Sequence, residues 1–190
     1  MITACYSVYN CSSTLAESIE NIIPYVDRVV LVDGVCLELW WQTHCSHDPP
    51  PKNGASTDGT IQLIEKIQKY YKKKIVFYKQ TQPWQHEVEK RNKTLELAKG
   101  SDYYLTVDGD CVYTGDVEGG LEDIMQSGKC GEFKIRWRDG SERYWLWMYR
   151  HVPGIHYCRV HTMLFDENHV PLPQPFGVYR TDKFMVRNGC

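Results

Sequence analysis

Asp108 and Asp110 stand one residue apart at the end of the apolar, β-branched run Tyr103–Val107. Carboxylates at the end of a strand project into the crevice where open α/β sheets take their ligands. A pair of them separated by glycine offers hard oxygen ligands to Mg²⁺ or Mn²⁺, and Gly109 would let a phosphate approach the backbone. The same letters also describe an Asp-Gly hairpin turn, and the stretch alone leaves both readings open. A second apolar run, Arg28 to Val32, likewise stops at Asp33-Gly34. Arg91 and Asn92 are polar groups that could reach a ligand edge or simply face water. His156, Arg159 and His161 cluster late in the chain.

Positioning these groups requires a sheet. Ile2 to Tyr9 is predicted as a buried first strand. Thr14 and Glu17 are spaced as a capping box opening a helix with Leu15, Ile19, Ile22 and Ile23 on its apolar face, ended by Pro24. With the strand at Arg28 this makes a βαβ unit, so the sheet is expected to be parallel. Residues 35–53 read as a long ligand-covering loop containing Trp40-Trp41. Cys36, His44, Cys45 and His47 there could hold zinc, although their spacing matches no regular zinc pattern. Asp58 or Thr57 can cap a helix carrying Ile61, Ile64 and Ile67, and Lys72 to Lys74 suit its solvated end. Strand Ile75 to Tyr78, helix Glu87 to Ala98 and the strand ending at Asp108 follow. Beyond it come a short helix marked by Val117, Leu121 and Ile124, then a hairpin. Glu132 to Trp137 leads through the Arg138–Ser141 turn into Arg143–Arg150. The tail reads as mostly irregular.

Length and composition narrow the classes. The 190 residues suffice for one domain with a hydrophobic core. A net charge of −2 advertises neither nucleic acid nor an anionic membrane. No run reaches the roughly 20 apolar residues of a membrane span. Met1 to Cys5 lacks the pattern of a signal peptide. The eight cysteines are unpaired in spacing, which fits reduced thiols and a cytoplasmic protein.

The ordered motifs resemble those of a family 2 glycosyltransferase of the GT-A fold. Ser7-Val8-Tyr9-Asn10 is similar to the family's first-strand signature. Val32-Asp33-Gly34, continued by Ser56-Thr57-Asp58-Gly59-Thr60, resembles its second. Lys90-Arg91-Asn92 with Ala98-Lys99-Gly100 resembles its third helix, and Asp108-Gly109-Asp110 falls where the family carries its DxD motif. Trp147 to His161 is similar to a histidine-terminated segment of one subgroup. Two departures stand out: residues 35 to 55 interrupt the second motif, and Thr162 follows His161 where that subgroup has Glu.

The resemblance implies a GT-A, Rossmann-like mixed sheet forming a single domain over 1–190. A parallel nucleotide-sugar-binding half (1–114) would precede a smaller, hairpin-containing acceptor-side half (115–190). It implies a metal-dependent, inverting transfer from a nucleotide sugar, expected to be a UDP-sugar, to a hydroxyl acceptor. That acceptor is open among glycan, protein, small molecule and modified nucleic-acid base. Mn²⁺ or Mg²⁺ would lie on Asp108, Asp110 and His161. Ser7 and Tyr9 would contact the nucleotide, Tyr9 stacking on the base. Asp33 would hydrogen-bond the base, Arg91 would contact the nucleotide, and Asp108 could instead meet the ribose. An inverting transfer needs a carboxylate to accept the hydroxyl proton. Asp139, Glu132, Glu142 and Asp166 are available, and Asp139 is preferred because hairpin tips can overhang a sheet edge. Trp137, Trp145 and Trp147 alternate as core residues do, though they could also platform a sugar. A sugar-nucleotidyltransferase is disfavoured by Tyr9 to Ser13, where such enzymes carry a glycine- and arginine-rich loop. A glycan- or protein-binding module is the third reading.

Overall fold

The computed structural model describes residues 1–43, 49–137, 139–158, 163–172, 174 and 176–188. In chain order the first elements are β1 (Ile2–Val8), α1 (Leu15–Ile22), β2 (Arg28–Asp33), α2 (Leu37–Thr43), α3 (Thr60–Tyr70), β3 (Ile75–Tyr78), α4 (Glu87–Leu97) and β4 (Tyr103–Val107). After them come β5 (Cys111–Gly115), α5 (Val117–Ser127), β6 (Cys130–Arg136), β7 (Glu142–Arg150), β8 (His156–Tyr157), β9 (Leu164–Phe165) and β10 (Val178–Asn188). Among the described residues the strands form an eight-stranded sheet in the order β3-β2-β1-β4-β7-β6-β10-β5, and a separate β8-β9 pair.

β3, β2, β1 and β4 run parallel. Parallel strands are covered on both faces, which is why they read as near-continuous apolar runs. Successive side chains alternate between two cores. Ala4, Tyr6, Leu31 and Leu105 pack on the α1, α3 and α5 side with Leu15, Ile19, Ile64 and Ile124. Cys5, Val30, Val32 and Tyr104 pack on the α4 side with Leu95 and Ala98. The chain leaves β1 for β2 and β3 on one side, then returns to place β4 on the other. The ends of β1 and β4 therefore flank the point where strand order reverses, the place where such sheets bind ligands.

The hairpin reading of 108–110 is excluded by pairing. Cys111 N–H bonds Asp108 O at 3.1 Å to make a turn, but β5 leaves β4 and pairs antiparallel with β10 at the far edge of the sheet. The predicted hairpin between β6 and β7 is present, with Arg136 opposite Glu142.

Four expectations are corrected. The capping box does not form: the Thr14 hydroxyl donates to Gly109 O (2.9 Å), and Glu17 faces Arg187 (3.4 Å). The loop after Gly34 contains α2, whose approach is anchored by Leu37 N–H to Trp84 O at 2.9 Å. Lys74 is not simply solvated, because its Nζ donates to Ile23 O and Val26 O at 3.0 Å each, closing the end of the preceding α1 segment. The tail is not irregular: β10 runs parallel to β6 and antiparallel to β5, with a register shift between Thr181 and Met185. That shift breaks the alternation, so Thr181 and Phe184 are both buried and no period-2 pattern marks the strand.

Of the three tryptophans, Trp147 is buried, while Trp137 and Trp145 meet edge to face at 6.4 Å. No helix among the described residues is long and apolar enough to cross a membrane.

Candidate active site

α1 holds the carboxylate turn from beneath. Thr14 Oγ1 fixes Gly109 O, and Ser18 Oγ reaches Asp108 O at 3.4 Å. Ser18 is itself tied to Tyr6 Oη at 3.1 Å inside the core. A Cβ at position 109 would stand 2.9 Å from Cys11 Sγ and 3.3 Å from Cys11 Cβ, so a larger residue there would have to displace the Cys11 side chain of the β1–α1 loop.

Asp110 is 7% exposed, and its Oδ2 is buried with no hydrogen-bond partner among the described residues. A buried carboxylate oxygen in that condition costs on the order of 1–3 kcal/mol or more, and native proteins rarely leave one so. Asp108 lies nearby, two residues beyond Thr106 on the face that α4 covers. Burial raises its carboxyl above the ordinary range; Arg91 opposes the rise, and Asp110 and Glu87 add to it. Two neighbouring carboxylates, one with a buried oxygen that has no partner among the described residues, are the kind of donor a hard divalent cation takes.

α4 supplies the opposite wall with side chains at i, i+3 and i+4. Arg91 Nε donates to Glu87 at 2.5 Å, its Nη2 lies 4.0 Å from Asp108, and its guanidinium sits 5.9 Å from the centre of the Tyr157 ring. Lys90 is buried, and its Nζ donates to Val8 O (2.7 Å) and Gly34 O (2.6 Å), joining the ends of β1 and β2. Burial lowers its pKa, opposed by Cys36, Asp33 and Cys11. Asn92 turns away from the edge and exchanges two hydrogen bonds with the Tyr157 backbone, at 2.9 and 2.7 Å.

A cleft of about 340 Å³ opens between these walls. Ser7, Tyr9, Arg91 and Asp108, all expected at the site, line it together with Glu87, Lys90 and Trp40. Tyr9 and Trp40 meet edge to face at 6.4 Å. Such a volume with aromatic walls and a few convergent polar groups is typical of a small-ligand pocket.

Asp33, expected to reach a base, is fully buried, and both its oxygens are engaged. Ser56 N–H donates at 3.0 Å and Ser56 Oγ at 2.5 Å. Its work in this structure is to hold the segment after the insertion against the ends of β1 and β2. Asn10 and Ser12 complete that seam through Ser56, Thr57 and Asp58.

Asp139 lies exposed at the β6–β7 hairpin tip and is not among the residues lining the cleft. Its carboxylate accepts from Ser141 N–H at 2.9 Å, and Ser141 holds its pKa low, as in an ordinary Asx turn. His161 lies outside the described residues, as do His44, Cys45 and His47; Cys36, the remaining zinc candidate, is buried beside Trp84. Glu87 has no role in the sequence reading, while Lys90 enters it only within the third-helix motif and Trp40 only within the ligand-covering loop. The Glu87, Lys90 and Arg91 spacing, one face of one helix, was the signal that could have found the first two.

The model for the family described as Glycosyl transferase family 2 matches residues 53–185. No curated protein matches the chain. Among solved structures, S. aureus TarS in complex with UDP-GlcNAc is similar at 21% identity and TM-score 0.51, over 74% of this chain and 36% of that one. Its complex with UDP gives 21%, 0.50, 74% and 37%. GalNAc-T7 with UDP, GalNAc and Mn²⁺ gives 13% identity and TM-score 0.48, over 92% of this chain and 30% of that one. The TarS likeness shows a shared GT-A-type fold, and this chain spans little more than a third of those two TarS chains.

Proposed function

The chain belongs to glycosyltransferase family 2, and from that premise we propose that it transfers a sugar from a nucleotide-sugar donor to a hydroxyl acceptor. The observation that carries the metal-dependent form of this reading is the buried Oδ2 of Asp110, without a partner among the described residues, beside Asp108 at the sheet's switch point. Asp108 and Asp110 would hold Mn²⁺ or Mg²⁺, with His161 as a further ligand. Bound there, the cation would supply charge neutralisation for the leaving diphosphate.

The protein's own groups do the positioning. Tyr9 stacks on the base within the cleft it shares with Trp40, and Ser7 contributes a hydroxyl to the same wall. Arg91, braced by Glu87, steadies Asp108 and offers positive charge to the nucleotide. Thr14 and Ser18 lock the backbone of the carboxylate turn. Lys90 fixes the two strand ends that frame the cleft. Asp33 acts at one remove, through Ser56. The donor is read as a UDP-sugar, the nucleotide carried by the solved TarS complexes.

The reading extends to an inverting transfer and a single catalytic domain over 1–190, with 1–114 on the donor side and 115–190 on the acceptor side. Asp139, the preferred base by sequence, would have to give up its Ser141 bond to take the acceptor's proton. The described cysteines are free thiols, which suits a reducing compartment such as the cytoplasm.

The test is hydrolysis or transfer of nucleotide sugars with Mn²⁺ or Mg²⁺, comparing the wild type with Asp110→Ala. Loss of metal-dependent turnover is expected, and unchanged turnover would remove the assignment.

A further inference from the structure

β8 and the turn after β9 bring three transition-metal ligands together on an exposed surface. His156, Cys158 and His169 each offer one ligand atom, and these atoms all lie within 4.8 Å of one another. His156 Nε2 and His169 Nδ1 are 3.2 Å apart. Two nitrogens bound tetrahedrally to Zn²⁺ at about 2.0–2.1 Å stand about 3.3 Å from each other, so these two need hardly move.

The tautomer of His156 is set, and His169 Nδ1–H donates to the His156 Nε2, so His169 passes that proton to its own Nε2 when Nδ1 takes a metal. His156 Nδ1 lies 2.8 Å from Gly154 O, and a carbonyl can only accept, so the proton is on Nδ1 and Nε2 carries a lone pair. A backbone carbonyl fixing the second nitrogen in this way is the usual support of a metal-bound histidine. His169 is held with φ +59°, a conformation that non-glycine residues seldom adopt. Asp166 maintains it by accepting from Asn168 and Val170 N–H at 2.9 Å each. A Cβ at Gly154 would lie 2.5 Å from Glu167 Cβ, so the Gly154 turn and the His169 turn are pressed against each other. Along β8 the buried Tyr157 points into the core to meet Thr106 Oγ1 at 3.0 Å. Alternation then sends His156 and Cys158 outward, away from the carboxylate turn.

We propose that His156, Cys158 and His169 bind Zn²⁺, with water in the fourth position. Two imidazoles and a thiolate select a borderline-soft ion such as Zn²⁺, whereas the carboxylates Asp108 and Asp110 select Mg²⁺ or Mn²⁺. Binding releases the Cys158 thiol proton to solvent and clips β8 to the turn after β9. Because Tyr157 on β8 sits under Arg91 and against Thr106, the clip steadies one wall of the cleft.

The test uses the full chain, stripped of metal by chelation and titrated with Co²⁺ as a spectroscopic stand-in for Zn²⁺. One equivalent should bind with a thiolate-to-cobalt charge-transfer band, be displaced by Zn²⁺, and withstand excess Mg²⁺. Cys158→Ser should abolish the band, and His169→Ala should weaken binding at least tenfold. Both variants alter exposed residues and should keep the wild-type circular dichroism, and Asp110→Asn should keep the band. Absence of the band in the wild type, or its persistence in Cys158→Ser, overturns the proposal.

Discussion

Ser56 donates both its backbone N–H and its hydroxyl to the carboxylate of Asp33, across 23 positions of sequence. The two halves of a motif split by residues 35–55 are thereby rejoined in space. Val35 N–H to Gly54 O, at 2.7 Å, closes the base of the insertion. Ser56→Ala removes one of two donors from a fully buried carboxylate. A loss of about 1–3 kcal/mol is expected in urea unfolding, with a smaller loss for Ser56→Thr, which retains the hydroxyl.

Lys90→Met is predicted to leave the Gly34 carbonyl without its lysine donor, and Val8 O with only the Gly34 N–H (3.1 Å), while removing a buried charge. The two effects partly offset, so the net loss of stability should be about 1–3 kcal/mol. Nucleotide affinity should fall further than stability predicts, because the strand ends framing the cleft lose the side-chain bridge and keep only the Gly34 N–H to Val8 O bond. Calorimetric titration of UDP at a temperature where the variant is fully folded separates the two.

The first turn of α3 depends on Asp58. Against the upward push of partial burial, bonds from the Thr60 hydroxyl, Ser12 N–H and Thr60 N–H hold its carboxyl at about 2, below the ordinary aspartate value of 3.8. A carboxylate depressed on folding stabilises the native state above its unfolded pKa, and that contribution is lost as pH falls through the folded one. Stability should therefore decline between about pH 4 and pH 2, and Asp58→Asn should flatten this part of the profile. Acid titration of the unfolding midpoint, wild type beside variant, reads the difference.

The parallel half was legible because β1, β2 and β4 are apolar runs stopped by Tyr9-Asn10, Asp33-Gly34 and Asp108-Gly109, each at a strand end. Arg91 and Asp108 were placed at one edge by motif order, and the cleft contains both. β10 escaped because a register shift scrambles its alternation, and its strand state is imposed by β5 and β6 on either side. The buried pairing of Asp33 with Ser56 was hidden because nothing local tells a carboxylate aimed at a ligand from one satisfied by a distant hydroxyl. Lys90 was missed for the same reason: a buried lysine on a polar helix looks like a solvated one until its two carbonyl partners are in view.

The central claim is that Asp108 and Asp110 hold a divalent cation together with a nucleoside diphosphate. Its most direct test is calorimetric titration of UDP into wild type and Asp110→Asn, each with and without Mn²⁺. Mn²⁺ should strengthen UDP binding at least tenfold in the wild type and leave binding to Asp110→Asn unchanged. Equal strengthening in both proteins, or none in the wild type, would contradict it.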